Sequence, residues 1–182
     1  MAGENATGAV PRQEPVLAKT IVNLLNTRPH ATPRSDETLT DPEAANLLLQ
    51  PLLAQPLAED DLPQVRALRD GLVEVVGRFG AEDAWVAVNQ PAASVAFHPM
   101  FGDGRVELRQ VSGSPAVGAV VRAIADLVAA GTFSRIRLCA NTDCSHAFYD
   151  STRSRTQRWH SYEICGNRVN VATYRKRTKH SK

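Results

Sequence analysis

The chain has 182 residues, of which 43% are apolar, 22% charged and 5% aromatic, and its formal net charge is +2. This composition is typical of a soluble globular protein and excludes a disordered chain. No segment approaches the roughly 20 apolar residues of a membrane span, and the polar N-terminus lacks the apolar core of a signal peptide. We therefore expect a cytoplasmic protein without membrane contacts, and disorder in residues 1–13.

Helical periodicity dominates the first part of the chain. Apolar residues at helical spacing predict a first helix through Leu17, Ile21, Leu24 and Leu25. After a proline-containing loop, Asp41-Pro42-Glu43 combines a capping carboxylate with a proline at the first position and predicts a second helix start. Asp61-Leu62-Pro63 predicts a third. We expect the second helix to break at Pro51 and the third to end near Gly80.

A hairpin and two further helices complete this part of the chain. We expect a short helix over residues 81–89, and then a β-hairpin, because Gly102-Asp103-Gly104 separates two alternating runs. Ser114-Pro115 begins a last helix that ends at Gly131. Residues 14–133 thus predict a helical domain with one β-hairpin. They contain no phosphate-binding loop, nucleophile elbow or zinc-protease motif, so we do not expect an enzyme.

Residues 134–182 differ in charge from the rest of the chain. They contain eleven Lys and Arg against three Asp and Glu, a net charge of +8, whereas residues 1–133 carry −6. All three cysteines also lie there. An odd number of cysteines without a secretion signal argues against a disulfide framework and favours metal binding. We therefore expect an acidic helical domain followed by a basic, metal-containing module.

The cysteines define two ligand pairs with the same spacing. Cys139 and Cys144 form C-x4-C, His160 and Cys165 form H-x4-C, and fifteen residues separate the pairs. Four such ligands close a structural zinc site, and we expect the intervening residues 146–159 to form a hairpin between the pairs. His146 is an alternative fourth ligand to His160. Three buried thiols without a metal are the other alternative.

The same stretch resembles the CGNR zinc finger. The resemblance rests on the C-x4-C pair, Phe148-Tyr149-Asp150, Arg158-Trp159 and Cys165-Gly166-Asn167-Arg168, with His160 at a position where the family commonly has cysteine. The preceding part resembles the ABATE domain, whose start has an Asn-Thr pair like Asn26-Thr27. The resemblance implies a mainly α protein with a β-hairpin and a zinc-stabilised, treble-clef or zinc-ribbon-like hairpin–helix module. It also implies a bacterial, stress-linked transcription regulator.

A basic helix after the last cysteine predicts a nucleic-acid partner. Ser161 can cap that helix, and its cations share one face, so the module presents a fixed cationic surface. We favour DNA, with a protein-interaction or RNA-binding adaptor as the alternative, and docking of the helix on the acidic domain as a further one. The helical domain would bind a small molecule or a protein, or form a homodimer. The predicted nucleic-acid contacts are Arg153, Arg155, Arg158, Asn167, Arg168, Arg175, Lys176 and Lys179.

Overall fold

The computed structural model describes residues 14–31 and 34–180, except for the side chains of Ala31, Thr173 and residues 176–180. The disorder predicted for residues 1–13 lies outside the described residues, and so do the side chains of Lys176 and Lys179. The described helices and strands are, in chain order, α1 (Val16–Leu25), β1 (His30–Ala31), β2 (Arg34–Ser35), α2 (Pro42–Leu49), α3 (Leu62–Gly77), α4 (Val86–Ala92), β3 (Ala96–Gly102), β4 (Arg105–Ser112), α5 (Pro115–Ala129), β5 (Ile136–Leu138), β6 (Ala147–Tyr149) and α6 (Asn167–His180).

Helices α2, α3 and α5 begin where the sequence predicts them, but only α2 and α5 have a capping side chain, because Asp61 accepts no hydrogen bond from an N–H of α3. Asp41 Oδ1 accepts a hydrogen bond of 2.9 Å from Ala44 N at the start of α2. Ser114 Oγ accepts one of 3.3 Å from Val117 N at the start of α5. Each cap satisfies a backbone N–H that has no partner inside the helix. Helix α3 ends at Gly77, and Gly80 lies in the turn that follows it with a φ of 92°.

The core lies between helices α1, α2, α3 and α5. Each contributes one apolar face, and the fully enclosed side chains include Ile21, Leu24, Leu49, Leu72 and Val120. Helix α4 packs on α3, preceded by the 3-10 turn Glu82–Trp85. None of the helices in the described ranges has the length and apolar character needed to cross a bilayer. The predicted fold class, mainly α with a β-hairpin, is confirmed.

The predicted β-hairpin is the antiparallel pair β3–β4. Its two-residue turn places Asp103 at φ 48° and Gly104 at φ 69°, the left-handed conformations that a type I′ turn needs. A second, very short antiparallel pair joins β1 to β2. That pair lies in the predicted loop before Asp41, where two-residue strands leave no periodic signal in the sequence.

The hairpin predicted within residues 146–159 does not form, and this prediction is wrong. Strand β6 pairs antiparallel with β5, which precedes both ligand pairs, and residues 157–159 return in a segment without regular secondary structure. That segment reaches the loop after β5 through a backbone hydrogen bond of 2.8 Å from Ala140 N to Arg158 O. Strand β6 pairs with β5 because this pairing buries both strands: Ile136 on β5 and Ala147 on β6 belong to the main hydrophobic core. The domain boundary at residue 134 stays a prediction, although the core extends past it.

Candidate metal centre

A tight loop after β5 brings the first two cysteines together. Cys139 follows the strand directly, and its N–H donates to His146 O at 2.8 Å, which closes the loop. Within the loop, Cys144 N donates to Asn141 O at 2.9 Å, and Ser145 adopts a φ of 57°. The two thiols therefore face one side of the loop, as a metal-binding knuckle requires.

A helix start supplies the other two ligands. Ser161 caps it, because its Oγ accepts from Ile164 N at 3.2 Å. The first turn, Tyr162–Gly166, is a π-helical turn that continues into α6. His160 lies just before this cap and Cys165 lies inside the turn, so the helix start determines where both ligands point.

These two halves meet in one cluster. The ligand atoms of Cys139, Cys144, His160 and Cys165 all lie within 4.8 Å of one another. His160 Nδ1 is 3.3 Å from Cys144 Sγ and 3.8 Å from Cys165 Sγ. Such separations are those of donors around a tetrahedral ion with bonds of about 2.0–2.3 Å. Three thiols and an imidazole are soft or borderline donors, so the cluster suits Zn²⁺ better than Mg²⁺ or Ca²⁺.

Burial shapes the chemistry of the cluster. Cys144 and Cys165 are fully enclosed, and Trp159 packs against the three cysteines. Burial, followed by the neighbouring thiols, raises the pKa of Cys144 to about 12, although the His146 N–H acts in the opposite direction. Burial also lowers the pKa of His160. A bound cation would favour the thiolate and the neutral imidazole, the forms that coordinate metal.

Two N–H groups donate to the sulfur atoms. The buried amide of Asn141 donates to Cys165 Sγ at 3.4 Å, and the backbone N–H of His146 donates to Cys144 Sγ at 3.5 Å. Such hydrogen bonds orient ligands and stabilise charge on thiolate sulfur. Asn141 is not among the residues predicted from the sequence, although its position between two cysteines is a signal for a role at the site.

His146, the alternative ligand, lies outside the cluster. Its Nε2 is 3.2 Å from Asn26 Nδ2, and its Nδ1 is 3.2 Å from His30 Nε2. Burial first, and then the charges of His160, His30 and Arg28, lower the pKa of His146 to about 4. Both ring nitrogens of His146 thus face the helical domain, whereas His160 faces the thiols.

Asn26 fastens the cluster to the helical domain. Its side-chain amide bonds both backbone polar groups of one residue, accepting from Ala147 N at 2.8 Å and donating to Ala147 O at 2.9 Å. Arg28 donates to Ser145 O beside it. Asn26 and Arg28 follow α1, so the first helix of the chain positions the loop that holds Cys144.

A buried carboxylate organises the segment between the ligand pairs. Asp150 has no exposed surface; its Oδ1 accepts from Thr152 N at 3.0 Å and its Oδ2 from Gln157 N at 3.1 Å. Arg135, also buried, donates to the carbonyl oxygens of Asp150 and Thr152. These bonds turn the chain back toward the cluster, where Gln157 Nε2 donates to Trp159 O at 2.9 Å.

Gly166 explains part of the CGNR tetrapeptide. A Cβ atom at this position would lie 2.6 Å from Tyr162 Cδ2 and 3.2 Å from Trp159 Cε3. The two rings meet edge to face with centroids 5.8 Å apart. Glycine therefore lets these rings close over the start of α6 beside Cys165.

The predicted nucleic-acid contacts lie in two places. Asn167, Arg168 and Arg175 are exposed on α6, and the guanidinium of Arg158 lies 5.1 Å from the centre of the Trp159 ring at the start of that helix. Arg153 and Arg155 are exposed in the turn of residues 152–155, and no described contact joins them to α6. The helix extends beyond the cluster, and its main contacts within the described residues are with its own π-helical first turn.

Comparisons with protein families give the same order of parts. Residues 135–178 match the model described as "CGNR zinc finger", and residues 18–131 match the ABATE model, described as "Putative stress-induced transcription regulator". A search of curated proteins found no match. Both resemblances expected from the sequence are therefore confirmed. The ABATE match covers more than half of the chain, and so the chain belongs to the ABATE family and ends in a CGNR zinc finger.

Proposed function

We propose that this protein is a zinc-dependent transcription regulator, not an enzyme, whose carboxy-terminal finger binds DNA. One arrangement carries the proposal, namely a cluster of four metal-ligand atoms at the start of a helix with exposed cations. Zinc held by Cys139, Cys144, His160 and Cys165 would be structural, since four protein donors complete a tetrahedron and leave no position for substrate. Three thiols kept for metal suit a reducing compartment, so we assign the protein to the cytoplasm.

Zinc would fix the direction of α6. The helix start carries two ligands, and the main contacts of α6 within the described residues are with its own π-helical first turn. A helix fixed in this way presents Arg168 and Arg175 on one side, because they are seven residues apart. Ordered cations bind phosphate at a lower entropic cost than a mobile basic tail would.

Cobalt substitution tests the ligand assignment. Co²⁺ bound by three thiolates and one imidazole gives visible absorption bands that depend on the donor set. His160→Ala should change these bands and weaken binding, whereas the matched variant His146→Ala should retain the wild-type spectrum. The opposite result would make His146 the ligand. A wild-type protein that binds neither Co²⁺ nor Zn²⁺ stoichiometrically would refute the metal site.

Salt dependence tests the DNA contacts. Each phosphate contact contributes about 0.9 to the slope of log K against log salt concentration for duplex DNA. Arg168→Ala and Arg175→Ala should each lower that slope by about this amount. Lys19→Ala, at an exposed position on α1, is the control and should leave the slope unchanged. Binding that shows no salt dependence, or an equal effect of the Lys19 variant, would count against the proposal.

A protein or RNA partner is the second candidate, and one observation favours it. The helix and its first turn expose large side chains that a phosphate contact does not use. Tyr162 is 59% exposed and Tyr174 68% exposed, with Ile164 and Val171 about half exposed. Aromatic rings can stack on unpaired bases, and apolar side chains suit a protein groove. Tyr174→Ala should lower affinity for single-stranded RNA but not for duplex DNA if RNA is the partner.

A cleft in the helical domain is the candidate site for a signal. It lies between α1, the end of α2 and α5, with a volume of about 300 Å³. Arg122 and Asp126 line it together with apolar side chains, and Arg122 Nε is buried without a hydrogen-bond partner among the described residues. The guanidinium of Arg122 lies 5.3 Å from the centre of the Phe97 ring, and its positive charge would favour an acidic small molecule in the cleft. Arg122→Met should abolish any such binding seen by calorimetry.

A further inference from the structure

The β3–β4 hairpin projects from the helical domain. Along most of their length both strands are exposed, and no third strand in the described part of the chain pairs with either edge. Large apolar side chains remain in solvent there, with Phe101 77%, Val106 60% and Leu108 41% exposed. An exposed two-stranded ribbon with an apolar face is marginally stable alone and is prone to pair with another strand.

The two edges of the hairpin differ in their capacity to pair. The two-residue turn makes Gly102 and Arg105 a hydrogen-bonded pair, so Pro99 and Leu108 form a non-hydrogen-bonded pair. The backbone groups of such pairs point outward. Pro99 therefore removes a donor from the outer edge of β3, whereas Val106 and Leu108 offer N–H and C=O groups along the outer edge of β4. Only β4 can extend the sheet without interruption.

The charges on β4 alternate in a pattern that complements itself. Arg105, Glu107 and Arg109 are exposed and share one face, since they are two residues apart. If two copies of β4 pair antiparallel about a two-fold axis at Leu108, Glu107 lies opposite Arg109 of the second copy, twice. Opposite charges at directly facing positions stabilise an antiparallel pair.

Neighbouring registers are less favourable. A shift of one copy by two residues sets Glu107 against Glu107 and Arg105 against Arg109, so every facing charge repels. A shift by four residues centres the pairing on Val106 and places Arg105 opposite Glu107 of the second copy. The turn at Asp103 then ends the strand pairing after three residues per strand. The register centred on Leu108 pairs residues 105–111 of both copies.

The apolar faces meet in this arrangement as well. Pro99, Phe101, Val106 and Leu108 share the other face of the hairpin. A two-fold axis between antiparallel strands is perpendicular to the sheet, so both apolar faces lie on the same side of the joined sheet. We propose that β4 is a homodimer interface, in which two chains pair antiparallel about Leu108 and form one four-stranded sheet.

Charge reversal with rescue tests this interface by sedimentation velocity on the full, metal-loaded chain without DNA. The wild type should sediment as a dimer. Glu107→Arg alone and Arg109→Glu alone should each convert two attractive pairs into two repulsive pairs and raise the dimer dissociation constant about 10- to 100-fold. The double reversal should restore the dimer, and an equimolar mixture of the two single variants should form heterodimers.

A matched control separates the registers. Arg105→Glu changes an exposed charge on the same strand but faces Val111 of the second copy in the proposed register, so it should leave the dimer nearly unchanged. Circular dichroism should show the wild-type helix content for every variant, because these side chains are exposed. A monomeric wild type, single reversals without effect, or a double reversal that does not restore the dimer would overturn the proposal. Loss of the dimer in Arg105→Glu would overturn the proposed register.

Discussion

The bond between Asn26 and β6 predicts a coupling between the helical domain and metal binding. Asn26→Ala removes the side-chain partners of both the N–H and the C=O of Ala147, a residue with no exposed surface. A buried backbone group left without a partner costs about 1–3 kcal/mol, so we expect the free energy of unfolding to fall by roughly 2–4 kcal/mol. The Asn26 side chain also contacts the ring of His146, and the backbone N–H of His146 donates to Cys144 Sγ. Zinc affinity should therefore fall about tenfold, as for other groups that orient ligands.

Asn46 provides a matched control for this prediction. Its amide makes the same pair of bonds to the N–H and C=O of one residue, Leu57, but neither residue contributes to the cluster. Asn46→Ala should lower the free energy of unfolding in urea melts without changing zinc affinity, measured by competition with a chromogenic chelator. Equal zinc affinity in the two variants would refute the coupling. An Asn26→Ala protein as stable as the wild type would refute the energetic argument itself.

Three more predictions concern the cluster and the core. Gly166→Ala should destabilise the zinc-loaded protein by about 1–3 kcal/mol, because the new methyl group overlaps the neighbouring tyrosine ring. Gly77→Ala should not, because its methyl group would lie 3.5 Å from Leu138 Cδ1, an ordinary contact distance. Thermal melts of both variants decide this. Burial acts to raise the pKa of Glu37, but hydrogen bonds from Arg69 and a backbone N–H lower it overall. The Glu37 carboxylate therefore stabilises the folded protein fully above the ordinary carboxyl pKa, and this stabilisation is lost as pH falls through the lowered pKa of Glu37. Urea melts over that acid range should show a steeper fall in the free energy of unfolding for the wild type than for Glu37→Gln. Zinc chelation should abolish amide protection in α6 but not in β5 and β6, which hydrogen exchange can measure; loss of protection in all three would show that the strands also depend on metal.

Local signals in the sequence predicted much of the fold. The Asp41 and Ser114 caps need only a side chain and a backbone N–H three residues away, so short motifs suffice to place them. The turn at Asp103 and Gly104 is local for the same reason. The equal spacing of the two ligand pairs likewise predicted which four residues would meet, because each pair is held by one loop or one helix start.

Long-range pairing was beyond the reach of those signals. Strand β5 has three residues, and nothing in them shows that they pair with β6 and not the return segment of residues 157–159. The preference comes from Ile136 and Ala147, which contact helices far away in sequence. The roles of Asn26 and His30 depend on the same contact, so neither role can be predicted from its local sequence, although His30 Nε2 lies 3.2 Å from His146 Nδ1.

The shared core limits how this protein can be rearranged by recombination. A chimera joined at residue 134 would separate β5 and β6 from the helices that cover Ile136 and Ala147. The donor finger would then carry two uncovered apolar strands, and the recipient helices would keep an open hole. A finger transferred to another helical domain needs matching residues in and just after α1, above all Asn26. The two parts must therefore be inherited together.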